Sequence, residues 1–129
     1  MKKNTTILLA LFASSALAGC QFHARSAEEY EKETRQVIET KKEDLKACYD
    51  EVLKKDKKAE GTVTVKFLVE AKTGVIKDVK VNEKKTTAPE SLSACVAKTL
   101  EGLKIDPPDA RDGVVTWSYD FTANKPKQL

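Results

Sequence analysis

The spacing of the apolar residues changes along the chain, and this change constrains the fold more than any other feature of the sequence. Between residues 27 and 54 the apolar side chains recur with the 3.6-residue period of an amphipathic helix. From Gly61 the period becomes two, as in a half-buried strand, and a second such pattern covers residues 75–82. A helical stripe returns at Leu92, and residues 114–122 alternate again. The predicted order is therefore helix, strand, strand, helix, strand.

This order limits the sheet to few topologies. Residues 71–74, which end in Gly74, predict a hairpin between the first two strands. The second helix then returns the chain across the sheet, so that the third strand runs antiparallel to the first. We therefore predict an α+β fold in which a long N-terminal helix precedes a ββαβ unit. Its three-stranded antiparallel sheet has the order 2-1-3 and is packed by the helices.

The first helix is predicted to begin after Ser26, because Glu29 lies three residues further on, as in a capping box. A single helix over residues 27–54 would be about 40 Å long. Its apolar stripe is interrupted at Lys41 and is densest in its second half. We expect the second half to pack on the sheet and the first half to project toward the membrane as a stalk.

The first twenty residues have the features of a bacterial lipoprotein signal. Lys2 and Lys3 precede an apolar run at residues 7–13, and the apolar stretch is too short to span a bilayer. The residues Leu-Ala-Gly-Cys at positions 17–20 resemble the lipobox, in which the cysteine is alkylated by a diacylglycerol before cleavage. Cys20 is therefore the predicted lipidation site, and its acyl chains would hold the protein on a membrane.

These features predict how the chain is organised. Residues 1–19 are a removable signal peptide, 20–26 a lipidated tether, 27–124 a single α+β domain and 125–129 a polar tail. By resemblance to enterobacterial sorting, Gln rather than Asp at position 21 implies the outer membrane, with the domain facing the periplasm. The predicted localisation is therefore the cell envelope.

Cys48 and Cys95 remain after lipidation of Cys20, and an even number of thiols in an oxidising compartment predicts a Cys48–Cys95 disulfide. A zinc site is the competing interpretation. Zinc usually takes four ligands in closely spaced pairs, and the only histidine, His23, lies in the tether. We therefore expect a structural disulfide and no metal. No CxxC redox motif is present.

Charge and motifs exclude several classes of function. The formal charge of +3 includes Lys2 and Lys3, which leave with the signal, so binding to nucleic acid is not expected. We find no nucleophile–base pair and no glycine-rich phosphate loop, and carboxylate pairs such as Asp106 and Asp109 are explained by capping at a proline turn. The sequence therefore predicts no enzyme, no catalytic residue, no cofactor and no small-molecule substrate.

The third strand is predicted to be an unguarded edge of the sheet. The second strand carries charges that commonly protect an edge, whereas residues 114–119 carry none. Such an edge can accept an extended peptide by strand addition. The residues assigned to this partner-binding edge are Val114, Thr116 and Ser118. The aromatic residues of the strand are expected on its core face; these are Trp117, Tyr119 and Phe121.

An ordered set of short segments carries a family resemblance. The set comprises Cys48-Tyr49, GTVTVKF at 61–67, GVIKDV at 74–79, Cys95-Val96, LKIDPP at 103–108 and Tyr119-Asp-Phe121. Over residues 45–123 it resembles the AgmX/PglI C-terminal domain, a family of myxobacteria and relatives that is similar in fold to the TonB C-terminal domain. The resemblance implies a protein-interaction domain in motility or envelope-spanning complexes. Because the chain has no proline-rich spanning segment, energy transduction is not implied.

The sequence thus favours a non-catalytic envelope lipoprotein whose domain binds another protein or an extended peptide. The alternative is a scaffold lipoprotein that stabilises a larger envelope assembly without a peptide-binding edge. Proline at Ser118 would separate the two hypotheses, because only strand addition needs the outward amide.

Overall fold

The computed structural model describes residues 24–123, which form three helices and three strands. In chain order these are α1 (Ala27–Glu39), α2 (Lys42–Lys55), β1 (Gly61–Val69), β2 (Ile76–Val81), α3 (Glu90–Leu100) and β3 (Gly113–Phe121). The strands form one sheet in the order β2-β1-β3, and both pairings are antiparallel. The predicted α+β class and the predicted sheet order are confirmed.

The core lies between the helices and one face of the sheet. Alternate residues of the central strand are buried there, as a period of two requires: Val63, Val65, Phe67 and Val69. The helices contribute Leu45 from α2 and Leu92, Val96 and Leu100 from α3, all at most 1% exposed. Full burial of such a side chain stabilises a fold by about 1.5 to 3 kcal/mol.

The prediction of one continuous first helix is wrong, because the helix breaks after Glu39. The Thr40 hydroxyl donates to the Val37 carbonyl at 2.5 Å, and Lys41 leaves the helical region with φ −104° and ψ 12°. The break lies where the apolar stripe is interrupted, and the residues on either side of it, Ile38 and Leu45, both lie in the core. The predicted capping box of Ser26 and Glu29 is present at the start of α1.

The predicted stalk is also wrong, because α1 packs along β3. At its start the Tyr30 ring lies against Gly113, where an added Cβ would be 2.5 Å from the ring. At its end the charge of the Glu39 carboxylate is one of the causes that raise the pKa of the Tyr119 hydroxyl. Thr34 and Ile38, between these points, are buried. The first half of the helical region therefore belongs to the same packed domain as the sheet and the other helices, which we call the head domain (residues 24–123).

A bulge in β2 brings more apolar residues to the core than strict alternation allows. Asp78 has a positive φ of 53°, and the register with β1 shifts between Lys66 and Leu68. Ile76 is consequently fully buried, while Val79, three residues further on, also packs against the core. Strict alternation along this strand would place Ile76 and Val79 on opposite faces of the sheet.

α3 ends at Leu100, although the helical spacing of apolar residues in the sequence continues to Leu103. Gly102 adopts a φ of 82°, a conformation typical of helix C-termini. The chain then runs beside the hairpin, where the Leu103 carbonyl accepts from Ile76 N–H at 2.7 Å and Ile105 N–H donates to the Gly74 carbonyl at 2.9 Å. Leu103 therefore belongs to an extended segment rather than to the helix.

Candidate functional site

The three residues assigned to the partner-binding edge lie on β3, which pairs with β1 on one side only among residues 24–123. Val114, Thr116 and Ser118 all have exposed side chains on the sheet face that the helices leave uncovered. Val114 is 65% exposed, an unusual degree of exposure for a large apolar side chain. The structure therefore brings the three residues together along one edge.

The hydrogen bonds of β1, the partner strand, show which peptide groups of β3 point out of the sheet. In an antiparallel ladder, two residues that face each other turn their peptide groups either toward each other or both away. Thr64 turns away from β3, because its N–H donates to Thr86 Oγ1 at 3.0 Å and its carbonyl accepts from Asn82 N–H at 2.8 Å. Ser118 pairs with Thr64, so the N–H and C=O of Ser118 point out of the sheet.

The same orientation recurs at every second residue of β3, because its register with β1 is unbroken from Gly113 to Phe121. The outward peptide groups belong to Val114, Thr116, Ser118 and Asp120. Within residues 24–123 no strand pairs with them. This row of alternating donors and acceptors is the template that strand addition uses.

The side chains of the edge are partly occupied by contacts to β1. Ser118 Oγ lies 2.8 Å from Thr64 Oγ1, and Thr62 Oγ1 donates to Asp120 Oδ1 at 2.5 Å. These cross-strand hydrogen bonds, which no sequence pattern predicted, hold β3 in register without using its outward peptide groups. Val114 lies opposite Leu68 and forms an apolar pair at the other end of the strand.

The core face of β3 carries a row of aromatic rings that leads from the core to the surface. Adjacent centroids are 5.3 Å apart for Tyr49 and Phe121, 4.7 Å for Phe121 and Tyr119, and 5.3 Å for Tyr119 and Trp117. Phe121 is buried, whereas Tyr119 and Trp117 are half-buried. Burial, together with the Glu39 carboxylate, raises the pKa of Tyr119. The prediction that the aromatic residues lie on the core face of β3 is confirmed. The rings of Tyr119 and Trp117 remain partly accessible beside the edge.

The predicted disulfide is present and joins α2 to α3, with its two Cα atoms 5.8 Å apart. Cys48 is 5% exposed, and its sulfur lies 3.6 Å from Thr99 Oγ1. A shallow groove of about 500 Å³ runs over the disulfide, with Lys41 and Lys98 among its lining residues. The bond therefore closes the core on its helical side but remains within reach of small molecules.

Residues outside the predicted site form a second polar centre, which we call the clamp: Arg25, Tyr30 and Asp109. Asp109 is 4% exposed and accepts three hydrogen bonds, from Arg25 N–H at 2.6 Å, the Tyr30 hydroxyl at 3.1 Å and Arg111 N–H at 3.1 Å. Arg25 also pairs with Glu33, and its guanidinium lies 5.5 Å from the centre of the Tyr30 ring. The clamp thus fixes the start of the described chain to the head.

The electrostatics of the clamp follow from this geometry. Burial alone would raise the pKa of Asp109, but the hydrogen bonds from Arg25 N–H, Arg111 N–H and Tyr30 outweigh it, and the pKa is lowered. Burial and the Asp109 carboxylate raise the pKa of Tyr30. Asp109 is therefore an anion, and Tyr30 a neutral donor, at neutral pH.

The sequence does not indicate the clamp, because its local patterns predict a tether over residues 20–26, which includes Arg25, and a capping role for Asp109. The carboxylate does accept from Arg111 N–H, two residues ahead, as a capping aspartate would. Its bond to Arg25, however, joins residues 84 positions apart. No local pattern signals a contact over that separation.

The remaining predicted residues have no described structure. Cys20 and His23 lie outside residues 24–123, as does the whole predicted tail at 125–129. Within that range no group of three or more histidine, cysteine or acidic residues could hold a metal ion. Between residues 24 and 123, none of the helices combines the length and the apolar composition of a membrane span.

Comparison with known proteins gives one structural likeness. No protein-family model matches the chain, and no curated protein matches it in sequence. Among solved structures, the solution structure of the TonB C-terminal domain of Helicobacter pylori is similar, with a TM-score of 0.47 and 14% identity. The match covers 81% of this chain and 100% of that domain. A likeness of this degree leaves function to be argued from the chain's own residues.

Proposed function

We propose that the protein is a non-catalytic envelope lipoprotein whose head domain binds an extended segment of a partner protein along the outer edge of β3. The acyl chains on Cys20 hold it on the outer membrane, facing the periplasm. In line with the resemblance to the AgmX/PglI C-terminal domain, its partner belongs to a motility or envelope-spanning complex.

One observation carries the proposal, which is the row of outward peptide groups on an edge without protecting charges. Val114, Thr116 and Ser118 offer three consecutive repeats of an N–H and a C=O at intervals of about 7 Å. Exposed edges of this kind are usually blocked by lysine, proline or a bulge, because they promote aggregation. β2 carries a bulge and charged side chains at the opposite edge, whereas β3 carries neither between Val114 and Tyr119.

The half-buried rings beside the edge provide a way to select among partners. An added strand would alternate its side chains between the two faces of the sheet. On the helical face these side chains would reach Trp117 and Tyr119, and on the open face they would reach Val114. Aromatic rings with accessible surface are enriched at such contacts. The preferred segment therefore carries apolar residues at alternate positions.

The proposal is tested in cells with a photo-crosslinking residue at Thr116 of the full-length chain. The edge should yield a covalent adduct with a partner. Ser118→Pro removes one outward N–H and should abolish the adduct, because proline cannot donate to an added strand. Ser118→Ala is the matched control, since it loses the same hydrogen bond to Thr64 but keeps the amide.

The same experiment distinguishes the scaffold alternative. A crosslinker at Glu51, on the exposed face of α2, reports docking through the helices. If Ser118→Pro folds and the Thr116 adduct persists, strand addition is wrong. If the adduct forms only at Glu51, the chain is a scaffold without a peptide-binding edge. Circular dichroism of each purified variant shows whether it has folded.

A further inference from the structure

We infer that Lys66 makes the β3 edge selective for extended segments that carry a carboxylate beside Thr116. The inference rests on the proposed strand addition to β3, and it deepens that proposal by naming the chemistry of the added segment. Apolar side chains of the segment would lie on the helical face and beside Val114, whereas the carboxylate would lie on the open face. The expected partner is therefore an amphipathic strand with one acidic position.

A single row of residues across the sheet carries this inference. The register of the strands places Lys66 of β1 between Lys80 of β2 and Thr116 of β3. The side chains of all three are exposed. Lys66 stands on the open face, because its neighbours Val65 and Phe67 are buried in the core. An added strand would extend this row beyond Thr116.

Two like charges face each other in the row. Lys66 and Lys80 are directly opposite, an arrangement that destabilises a sheet. Neither lysine forms an ion pair among residues 24–123. Lysine often protects an exposed edge, but Lys66 lies on the central strand, which has no edge to protect. An unfavourable local arrangement without a compensating contact is expected at functional sites.

The nearest acids of the open face are engaged elsewhere. Glu70 pairs with Lys77 at 2.6 Å, and its hydrogen bond, together with the charge of Asp78 at the bulge, raises the pKa of Lys77. Asp120 accepts a hydrogen bond from the Thr62 hydroxyl at 2.5 Å, four residues along β3 from the row. The middle of the open face therefore keeps a local positive charge.

Lys66 can reach an added strand across Thr116. Thr64 turns its peptide groups away from β3, and Lys66, two residues further on, has the same orientation. Its Cα is therefore about 4.5 Å from that of Thr116, and an antiparallel residue added beside Thr116 is about 5.5 Å further. An extended lysine and a glutamate side chain together bridge this total of about 10 Å. The charge of Lys80 on the other side favours conformers of Lys66 that lean toward β3.

The test uses the full-length chain, purified from membranes in detergent, and a displayed library of random peptides of nine residues, the length of β3. Peptides that bind the natural sequence but not folded Ser118→Pro require the edge. Among these peptides we expect an acidic residue at one position, flanked by apolar residues. An enriched peptide is then synthesised with glutamate or glutamine at that position, and fluorescence anisotropy measures the Kd of each form.

Exchange of charge tests the role of Lys66. Lys66→Gln should weaken binding of the glutamate peptide about threefold, as expected for an exposed ion pair, and should leave the glutamine peptide unchanged. Lys66→Glu should weaken the glutamate peptide further and strengthen a peptide with lysine at that position. Lys98→Glu is the control for net charge, since Lys98 is exposed on α3, and it should leave the preference unchanged.

The outcomes separate this inference from the proposed function. If peptides that require the edge bind equally well with glutamate and glutamine, or if Lys66→Glu leaves their preference unchanged, charge selection is wrong and strand addition stands. If Lys98→Glu removes the preference as fully as Lys66→Glu does, net charge is the cause and the role of Lys66 is wrong. If no peptide distinguishes Ser118→Pro from the natural sequence, the edge and this inference fail together.

Discussion

Reduction of the Cys48–Cys95 disulfide should lower the melting temperature of the head domain by a large and calculable amount. The bond closes a loop with a sequence separation of 47 residues. For a loop of that length, the chain-entropy model gives a stabilisation of about 4 kcal/mol at 25 °C. In a domain of about 100 residues, each kcal/mol shifts the melting temperature by about 4 to 8 °C. We therefore expect a decrease of about 20 °C.

The assay is thermal unfolding followed by circular dichroism, with and without a phosphine reductant. The variant Cys48→Ala/Cys95→Ala provides the comparison, because it lacks both the bond and the two sulfur atoms. Cys48 is buried, so loss of its sulfur should cost further packing energy. The double variant should therefore melt slightly below the reduced natural sequence.

The loop-closure reasoning is refuted if complete reduction, verified by thiol titration, changes the melting temperature by less than about 4 °C, which corresponds to about 1 kcal/mol. That result would mean that α2 and α3 hold each other without the covalent bond. A large decrease in the double variant alone would assign the stabilisation to sulfur packing.

Three further predictions concern single positions. Thr34→Val should raise the free energy of unfolding by about 1 kcal/mol, because the buried Thr34 hydroxyl has no hydrogen-bond partner among the described residues. The urea midpoint should rise accordingly, and a lower midpoint would contradict this. Asp109→Asn should lower stability at neutral pH and remove part of its acid dependence: the lowered pKa makes Asp109 stabilising above about pH 4, with the effect lost as the pH falls through the folded pKa. Urea unfolding from pH 2 to 7 checks this, and identical pH profiles would refute it. Gly74→Ala should destabilise by at least about 2 kcal/mol, since Gly74 has φ 72° and an added Cβ would meet Ile105 O; an unchanged melting temperature would refute this.

The fold could be predicted because its elements alternate between two clear periods. The buried residues of β1 and the aromatic face of β3 repeat every two residues, so their faces follow from the sequence alone. The burial of Ile76 did not follow, because the bulge at Asp78 interrupts the period of two. The break at Lys41 was visible as a gap in the stripe, but a gap does not reveal whether a helix continues through it.

The candidate edge could be predicted from charge patterning, since β2 is charged and β3 is not between Val114 and Tyr119. The clamp could not, because it joins Arg25 to a carboxylate 84 residues away. Gly113 illustrates the same limit: its lack of a side chain makes room for the Tyr30 ring, a contact that depends entirely on how α1 docks. Local patterns report faces and ends of elements, whereas contacts between distant segments depend on the assembled core.

The position of the disulfide has a mechanical consequence under the proposed function, in which a lipid on Cys20 and a partner on β3 would both hold the protein. Its covalent loop encloses residues 48–95, whereas the clamp and β3 lie outside that loop. Tension between the lipid and a partner on β3 would therefore pass from Arg25 through Asp109 into the strand four residues later, without loading the crosslinked helices. Under load the clamp would yield first, while the crosslinked part of the head keeps its shape.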